Sequence, residues 1–227
     1  MEVDFLCLAN SWKHQGRCVA GLRIGDGRWI RPVSSTPDGT LFSPTYRYRD
    51  GAEATLLDVV RVDIARANPG YHQPENWLLG PKRWTKVRHY EPHAAWPLLS
   101  PHIESATVLF GTYGDYVDYS AVLRNPLPSS LTLVEPDEVV WIAQTREGRR
   151  RLYAAFMLGG EPYRLSITDP VWFQRLATLE EGGHERNVAG LSPSDRMLFT
   201  ISLGEPFGPS QRCFKLIAGV IAIPPLV

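Results

Sequence analysis

The sequence lacks net charge, a set of paired cysteines and any long apolar run. Its 24 Lys and Arg balance 24 Asp and Glu, so no overall field draws the protein to nucleic acid or to a membrane surface. Three cysteines, an odd number in 227 residues, do not suit a disulfide framework. No run reaches the roughly 18 apolar residues that span a bilayer, and the N-terminus lacks the basic region of a signal peptide. These absences predict a cytoplasmic protein that has no membrane partner.

Lysine is also scarce, because only four of the 24 basic residues are Lys and the other 20 are Arg. The guanidinium group makes planar, bidentate contacts with phosphate and carboxylate, which an ammonium group cannot make. The bias therefore indicates either anion recognition or the codon usage of a GC-rich genome, and the composition alone does not separate the two.

Long helical patterns are few, since 19 Gly and 19 Pro divide the chain into short apolar runs. This punctuation predicts a mainly β protein. The predicted strands are 3–9, 18–24, 29–33, 58–65, 107–110, 132–134, 139–144, 151–158, 161–166, 198–202 and 213–221. Thr168-Asp169-Pro170 is a helix start, which predicts a helix over 170–179 that ends before Gly182-Gly183. A shorter helical turn is predicted over 92–99.

The segment Asn125–Ser130, NPLPSS, is the best candidate linker. It separates two parts with about five predicted strands each, and five strands suit a small closed or partly closed barrel. We therefore predict one barrel domain with an irregular insertion over 1–125 and a second over 131–227. The role of 66–125 is not apparent from the sequence.

Metal and cofactor chemistry have little support. Cys7, Cys18 and Cys213 each lie in an apolar run, which is typical of buried free thiols, and Cys7 is placed beside Cys18 on the neighbouring strand. His89 and His93 have i, i+4 spacing, but Pro92 interrupts the helix that such a zinc site would need. We predict no metal, no cofactor and reduced cysteines.

Positive charge is concentrated near the N-terminus. Between Trp12 and Arg49, seven Lys and Arg face only Asp26 and Asp38, and Trp12, Trp29, Tyr46 and Tyr48 are interleaved with them. Guanidinium groups bind phosphates and aromatic faces stack bases, so this combination predicts a platform for single-stranded nucleic acid. The predicted binding residues are Lys13, His14, Arg17, Arg23, Arg28, Trp29 and Arg31.

Other interpretations of the same residues stay open. The residues around Lys13 lie in a predicted loop between the first two strands, which is ordinarily a solvated hairpin loop. Ser11 beside Lys13 or His14 has the residue types of a nucleophile and its base, although no nucleophile-elbow motif surrounds it. Trp29 suits the core as well as a stacking site. The run Arg149–Arg151 is interpreted as a solvated hairpin turn.

Three segments resemble a known bacterial family. CLANSWKHQGRCVAG at 7–21, GRWIRPVS at 27–34 and SLGEPFGPSQRCFKLIAGVI at 202–221 resemble the dual OB-containing domain family. The resemblance implies two fused OB-like barrels, consistent with the strand count, and a nucleic-acid role near helicase-bearing defence genes. It carries no catalytic residue over to this chain.

These observations favour a non-catalytic protein that binds single-stranded DNA or RNA in a bacterial defence or nucleic-acid-processing system, beside a helicase or nuclease. A protein–protein adaptor built on OB barrels is one alternative. An enzyme acting on nucleotides or nucleic acid through Ser11, Lys13, His14 or Glu205 is another.

Overall fold

The computed structural model describes residues 1–225, and strands dominate it. The strands are β1 Glu2–Lys13, β2 Gly16–Arg23, β3 Trp29–Val33, β4 Asp58–Ala67, β5 Asn76–Leu79, β6 Thr85–His89, β7 Tyr116–Asp118, β8 Leu131–Val134, β9 Asp137–Arg146, β10 Arg149–Leu158, β11 Glu161–Ile167, β12 Gly182–Glu185, β13 Arg196–Phe207 and β14 Arg212–Ile223. The α-helices are α1 Pro92–Leu99, α2 Tyr119–Arg124 and α3 Pro170–Leu176. Short 3-10 helices cover Ser100–His102, Leu109–Gly111 and Arg186–Ala189.

The first barrel consists of β1 to β5. Its strand order is β1-β2-β3-β5-β4, and β4 returns to pair with β1, which closes the sheet. The β3–β5 pair is parallel, while the other pairs are antiparallel. β6 extends the sheet outside the barrel by pairing with β4.

The second barrel repeats this order with β9, β10, β11, β14, β13 and β8, again with one parallel pair, β11–β14. β8 and β9 are consecutive and separated only by Glu135-Pro136, so together they act as one interrupted strand. β8 pairs with β13 and β9 pairs with β10, so the circular order matches that of the first barrel. Proline has no N–H for the ladder, which explains the interruption.

The barrels pack against each other along β1 and β14. β1 is buried on both faces, because Phe5 and Cys7 belong to the first-barrel core while Leu6 and Leu8 pack against Leu198 and other second-barrel residues. The backbones approach so closely that a Cβ at position 219 would lie 2.2 Å from the Leu8 carbonyl oxygen. Only glycine fits there.

The predicted mainly β fold with two fused barrels and few helices is confirmed. The division at 125 and 131 stays a prediction. β7 lies before residue 125 yet pairs with β14 of the second barrel, and residues 226 and 227 lie outside the described part of the chain.

Several local predictions were wrong. Residues 107–110 form a bend and a 3-10 turn, because the Tyr163 hydroxyl binds the Leu109 N–H and the Thr107 carbonyl in place of a strand partner. α3 ends at Leu176, where the next backbone bonds become i to i+3, and Gly182-Gly183 belong to β12. The first hairpin is also tighter than expected.

The predicted loop containing Asn10, Ser11 and Lys13 is strand, because the β1–β2 ladder continues to the pair Lys13–Gly16 and leaves a two-residue turn. The same register places Cys18 opposite Ser11 and not beside Cys7. Cys7 and Cys213 are buried free thiols, whereas Cys18 is half-buried.

Within residues 1–225, no helix has the length and apolar character needed to cross a membrane.

Candidate functional site

A groove of about 410 Å³ in which polar groups converge lies between the barrels. We call it the inter-barrel groove. Its second-barrel residues are Asp115, Arg151, Tyr153, Arg164, Ser166, Thr168, Ser202, Gly204, Glu205, Phe207, Phe214, Lys215, Leu216 and Ala218. Its first-barrel residues are Ser11, Trp12, Lys13, His14, Cys18 and Gln73. Two of the three segments that carry the family resemblance therefore meet here.

One wall is the outer face of β10 and β11, which are the second and third strands of their barrel. Along β10, Arg151 and Tyr153 face outward while Leu152 and Ala154 are buried, as strand alternation requires. On β11, Arg164 faces the same side, and its guanidinium carbon lies 4.6 Å from the centroid of the Tyr153 ring. This is cation–π geometry on an accessible surface.

Arg151 and Arg164 keep their charge available. Arg164 donates a 2.7 Å hydrogen bond to the Gln144 side-chain oxygen, a neutral acceptor. Among residues 1–225 the arginines that lie within 4.0 Å of a carboxylate are Arg17, Arg23, Arg31, Arg47, Arg61, Arg146 and Arg196. The two groove arginines are not in that set, so an anionic ligand would not have to displace a carboxylate from them.

Aromatic rings line the same groove. Phe207, just before the β13–β14 turn, is 70% exposed, and its ring centroid lies 6.4 Å from that of Phe214. On the first-barrel side, Trp12 is 42% exposed and packs edge-to-face on Phe173 at 4.9 Å. Clustered exposed apolar side chains, unlike isolated ones, are typical of binding surfaces.

The opposite wall is an ion-pair network around the β1–β2 turn. Lys13 Nζ lies 2.6 Å from Glu205 Oε1 and also donates to the Asp38 carbonyl oxygen. His14 Nε2 lies 3.4 Å from Asp38 Oδ2 and 3.5 Å from Glu205 Oε2. Burial alone would raise the pKa of Asp38, but hydrogen bonds from Thr40 and Thr36 and the charge of Lys13 hold it well below its usual range. The carboxylate is therefore ionised at neutral pH.

Lys215 lies at the base of the groove. Its side chain is buried, and Nζ donates to the carbonyl oxygens of Thr112 at 2.6 Å and Gly114 at 3.0 Å. Burial lowers its pKa to about 8, while the nearby Asp115 opposes that shift. The residue ties β14 to the loop before β7, and two of its three ammonium N–H groups are already used by backbone carbonyls.

The seven predicted binding residues are distributed over separate places. Lys13 and His14 lie in the inter-barrel groove, but Arg17 is outside it and pairs with Glu53 at 2.9 Å. Arg23, Arg28 and Trp29 line a second opening of about 540 Å³ on the first barrel, which we call the first-barrel cavity.

In the first-barrel cavity, Arg23 lies 3.4 Å from Asp26 and 5.9 Å over the Trp77 ring. Arg28 is exposed, whereas Trp29 is half-buried and packs against the apolar contacts between the barrels. Trp29 therefore packs against buried residues and also lines the cavity, and its role as a stacking site stays a prediction.

Arg31 is 1% exposed and lies between the two openings. It pairs with Glu75 at 3.0 Å and donates to Ser130 and Ser202 at 2.9 and 3.1 Å. We call these four residues the Arg31 cluster. Ser130 is fully buried and also binds Glu75, so the end of the expected linker is fixed between the barrels. Because Arg31 is buried in this cluster, it is not part of a binding surface.

The residues of the enzyme alternative do not form a nucleophile–base pair within the described residues. The Ser11 hydroxyl donates to the Cys18 carbonyl oxygen at 3.4 Å, and Lys13 is directed to Glu205 and Asp38. The hypothesis of catalysis through Ser11, Lys13 and His14 stays untested.

Sequence reasoning did not single out Tyr153, Arg164, Phe207 and Phe214, and it treated Arg151 only as part of a charged turn. The alternation of Arg149, Arg151 and Tyr153 along one strand was a usable signal for a basic-aromatic face. Arg164 could not be added without knowing that β10 pairs with β11.

Comparisons with known proteins give a family but no characterised relative. No curated protein matches the chain. One solved structure, described as "Structure of murine DNA binding protein bound with ds DNA", aligns over 99% of this chain and 98% of that chain, at 9% identity and a TM-score of 0.31. A likeness that distant carries no argument about function. The sequence profile of the dual OB-containing domain matches residues 3–220, nearly the whole chain. The predicted family is confirmed, and the protein belongs to the dual OB-containing domain family.

Proposed function

We propose that this protein binds single-stranded nucleic acid, DNA or RNA, in the inter-barrel groove. The observation that carries the proposal is the outer face of β10 and β11, where Arg151, Tyr153 and Arg164 stand together on an accessible surface. In OB barrels the face of the second and third strands is the usual place for oligonucleotides.

The chemistry of the groove favours an unpaired strand. Tyr153 and Phe207 line the groove with aromatic rings, and bases can stack on such rings only when they are not already paired and stacked in a duplex. Arg151 and Arg164 supply two cations without carboxylate partners among the described residues, on neighbouring strands but offset along them, because Arg164 pairs with Ala155. Stacking platforms beside free guanidinium groups are what sequence-tolerant single-strand binding requires.

The proposed role is binding without catalysis, in the cytoplasm and within a bacterial defence or nucleic-acid-processing system. A helicase or nuclease that exposes or consumes single strands is the partner that this role implies. The first-barrel cavity, with Arg23, Arg28 and Trp29, is proposed as a secondary contact for the same strand.

The direct test is fluorescence anisotropy with labelled single-stranded and duplex oligonucleotides of equal length over a salt series. We expect tighter binding of the single strand and a linear fall of log affinity with log salt concentration. Arg164→Ala is expected to weaken binding to all sequences about equally.

The matched control is Arg88→Ala. Arg88 also lies over a tyrosine ring, at 5.5 Å from Tyr90, but on β6 outside the groove. Absence of salt-dependent binding by the wild-type protein would refute the proposal and favour the adaptor hypothesis. Equal losses in the two variants would refute the site.

A further inference from the structure

Glu205 is a carboxylate inside a groove proposed for a polyanion. It lies on β13, and both of its oxygens face basic side chains of the first barrel, Lys13 at 2.6 Å and His14 at 3.5 Å. A carboxylate at this position repels phosphate, so its presence needs a physical account.

Both basic side chains of this wall already have acidic partners within the protein. The Lys13 side chain is only 13% exposed and is held between the Glu205 carboxylate and the Asp38 carbonyl oxygen. His14 has a second acidic neighbour, Asp38, at 3.4 Å. The wall that faces Arg151 and Arg164 therefore offers no free positive charge to an incoming strand.

We propose that Glu205 is an autoinhibitory counter-ion that occupies the place of a ligand phosphate on Lys13. This inference rests on the proposed function. For Lys13 to contact a bound strand, it has to exchange its carboxylate for a phosphate oxygen. Both are charge-assisted acceptors for the ammonium group, so the exchange gains little at Lys13 and leaves Glu205 beside the strand without its lysine partner. Weak or short polyanions are disfavoured by this cost.

The test is Glu205→Gln, which keeps the shape of the side chain and removes its charge. Lys13 should then act as an additional phosphate contact and steepen the salt slope by ~0.7 for a single strand. At 0.1 M salt that slope corresponds to about fivefold tighter binding of single-stranded oligonucleotides.

Two further variants separate this effect from a general loss of negative charge. Asp115→Asn removes a carboxylate from the same groove that has no Lys13 contact, so it should raise affinity less and leave the slope unchanged. Lys13→Met should not strengthen binding in the wild-type background, because Glu205 keeps its charge in the groove and loses its lysine partner. In the Glu205→Gln background the same change should abolish the gain.

Several outcomes would overturn the inference while leaving the proposed function standing. One is an affinity that Glu205→Gln leaves equal to that of the wild type. Another is a gain in affinity that survives in the Lys13→Met, Glu205→Gln double variant. A third is a loss of affinity confined to strands containing guanine or cytosine, which would mean that Glu205 accepts a hydrogen bond from a base. No binding by wild type and Glu205→Gln alike would refute the proposed function itself. Thermal melting of each variant shows whether a change in folding accounts for a result. Lys13→Met breaks the same Lys13–Glu205 ion pair from the other side and so serves as a second variant for this check.

Discussion

The two barrels share one strand order but use their arginines in different ways. In the first barrel, Arg17, Arg23 and Arg31 each lie within 3.4 Å of a carboxylate. In the second, Arg151 and Arg164 stand on the outer face without such a partner among the described residues. The excess of basic residues near the N-terminus is therefore largely neutralised within the fold. The second barrel instead places two arginines without carboxylate partners on one wall of the groove. Whether a cation can recruit a ligand depends on its partners in space and not on its neighbours in sequence.

The largest expected effect lies where the first barrel uses an arginine for structure. Replacing Arg31 by Met leaves Glu75 as a buried carboxylate without its cation, and breaking a buried pair in this way costs about 3–5 kcal/mol of unfolding free energy. Urea denaturation measures the loss. Arg196→Met is the matched control, because its bidentate pair with Glu135 is half-exposed and should contribute about 1 kcal/mol or less. Equal costs would mean that the Arg31 cluster is not structural.

Buried aspartates sharpen the same comparison. The Asp58 carboxylate in the first barrel accepts from Lys86, His89, Tyr48 and the Thr55 N–H. Burial opposes ionisation, but these donors, led by Lys86, lower its pKa. A lowered folded-state pKa means that the contribution of Asp58 to stability is present above the unfolded value near 3.9 and is lost as pH falls through the folded pKa. Asp58→Asn is expected to cost about 1.5–3 kcal/mol at neutral pH and to flatten the acid side of the stability profile.

Asp169 in the second barrel should respond with the opposite sign. It caps α3 through the Val171 and Trp172 N–H groups and also accepts from Val220, yet burial raises its pKa. Its contribution is therefore greatest below the unfolded pKa and declines as pH rises through the folded value. Urea midpoints of wild type, Asp58→Asn and Asp169→Asn between about pH 3 and 7 would show it, since the two variants should change the profile in opposite directions. A shift in the same direction would contradict the assignment.

The sequence allowed the strongly alternating strands and the capped helix to be predicted, whereas β5 of the first barrel was missed and 107–110 was wrongly counted as its fifth strand. It did not reveal β6 or β12, because strands as polar as TKVRH and GGHE have no apolar alternation and form only by pairing with β4 and β9. The site was harder to predict for a related reason. Arg17 and its partner Glu53 are 36 residues apart, so counting charges along the chain could not show that they cancel.

Stacking is the next test of the difference between the barrels. Tyr153→Ala removes the ring beneath Arg164 and is expected to weaken oligonucleotide binding by ~1–3 kcal/mol with little change in salt slope. Trp29→Ala in the first barrel should instead lower the urea midpoint, because part of its ring packs between the barrels. Affinity and denaturation measured on both variants separate the two roles. A large affinity loss for a normally folded Trp29→Ala would move the main site to the first-barrel cavity.

The smallest effect is the most specific to the comparison. Arg151→Ala should make the salt slope shallower by ~0.7, because one fewer counterion-releasing contact forms, and should weaken single-strand binding about fivefold at 0.1 M salt. Arg17→Ala should leave slope and affinity nearly unchanged, because Glu53 already neutralises that guanidinium outside the groove. The change in salt slope for Arg28→Ala should lie between those of the other two variants. Arg28 is exposed in the first-barrel cavity, so its replacement makes the slope shallower only if that cavity is a secondary contact for the strand. Anisotropy titrations at four or more salt concentrations on the same oligonucleotide rank the three variants. A larger change in slope for Arg17→Ala than for Arg151→Ala would reverse the assignment of the barrels, because it would show that a paired arginine binds the strand while the unpaired one does not.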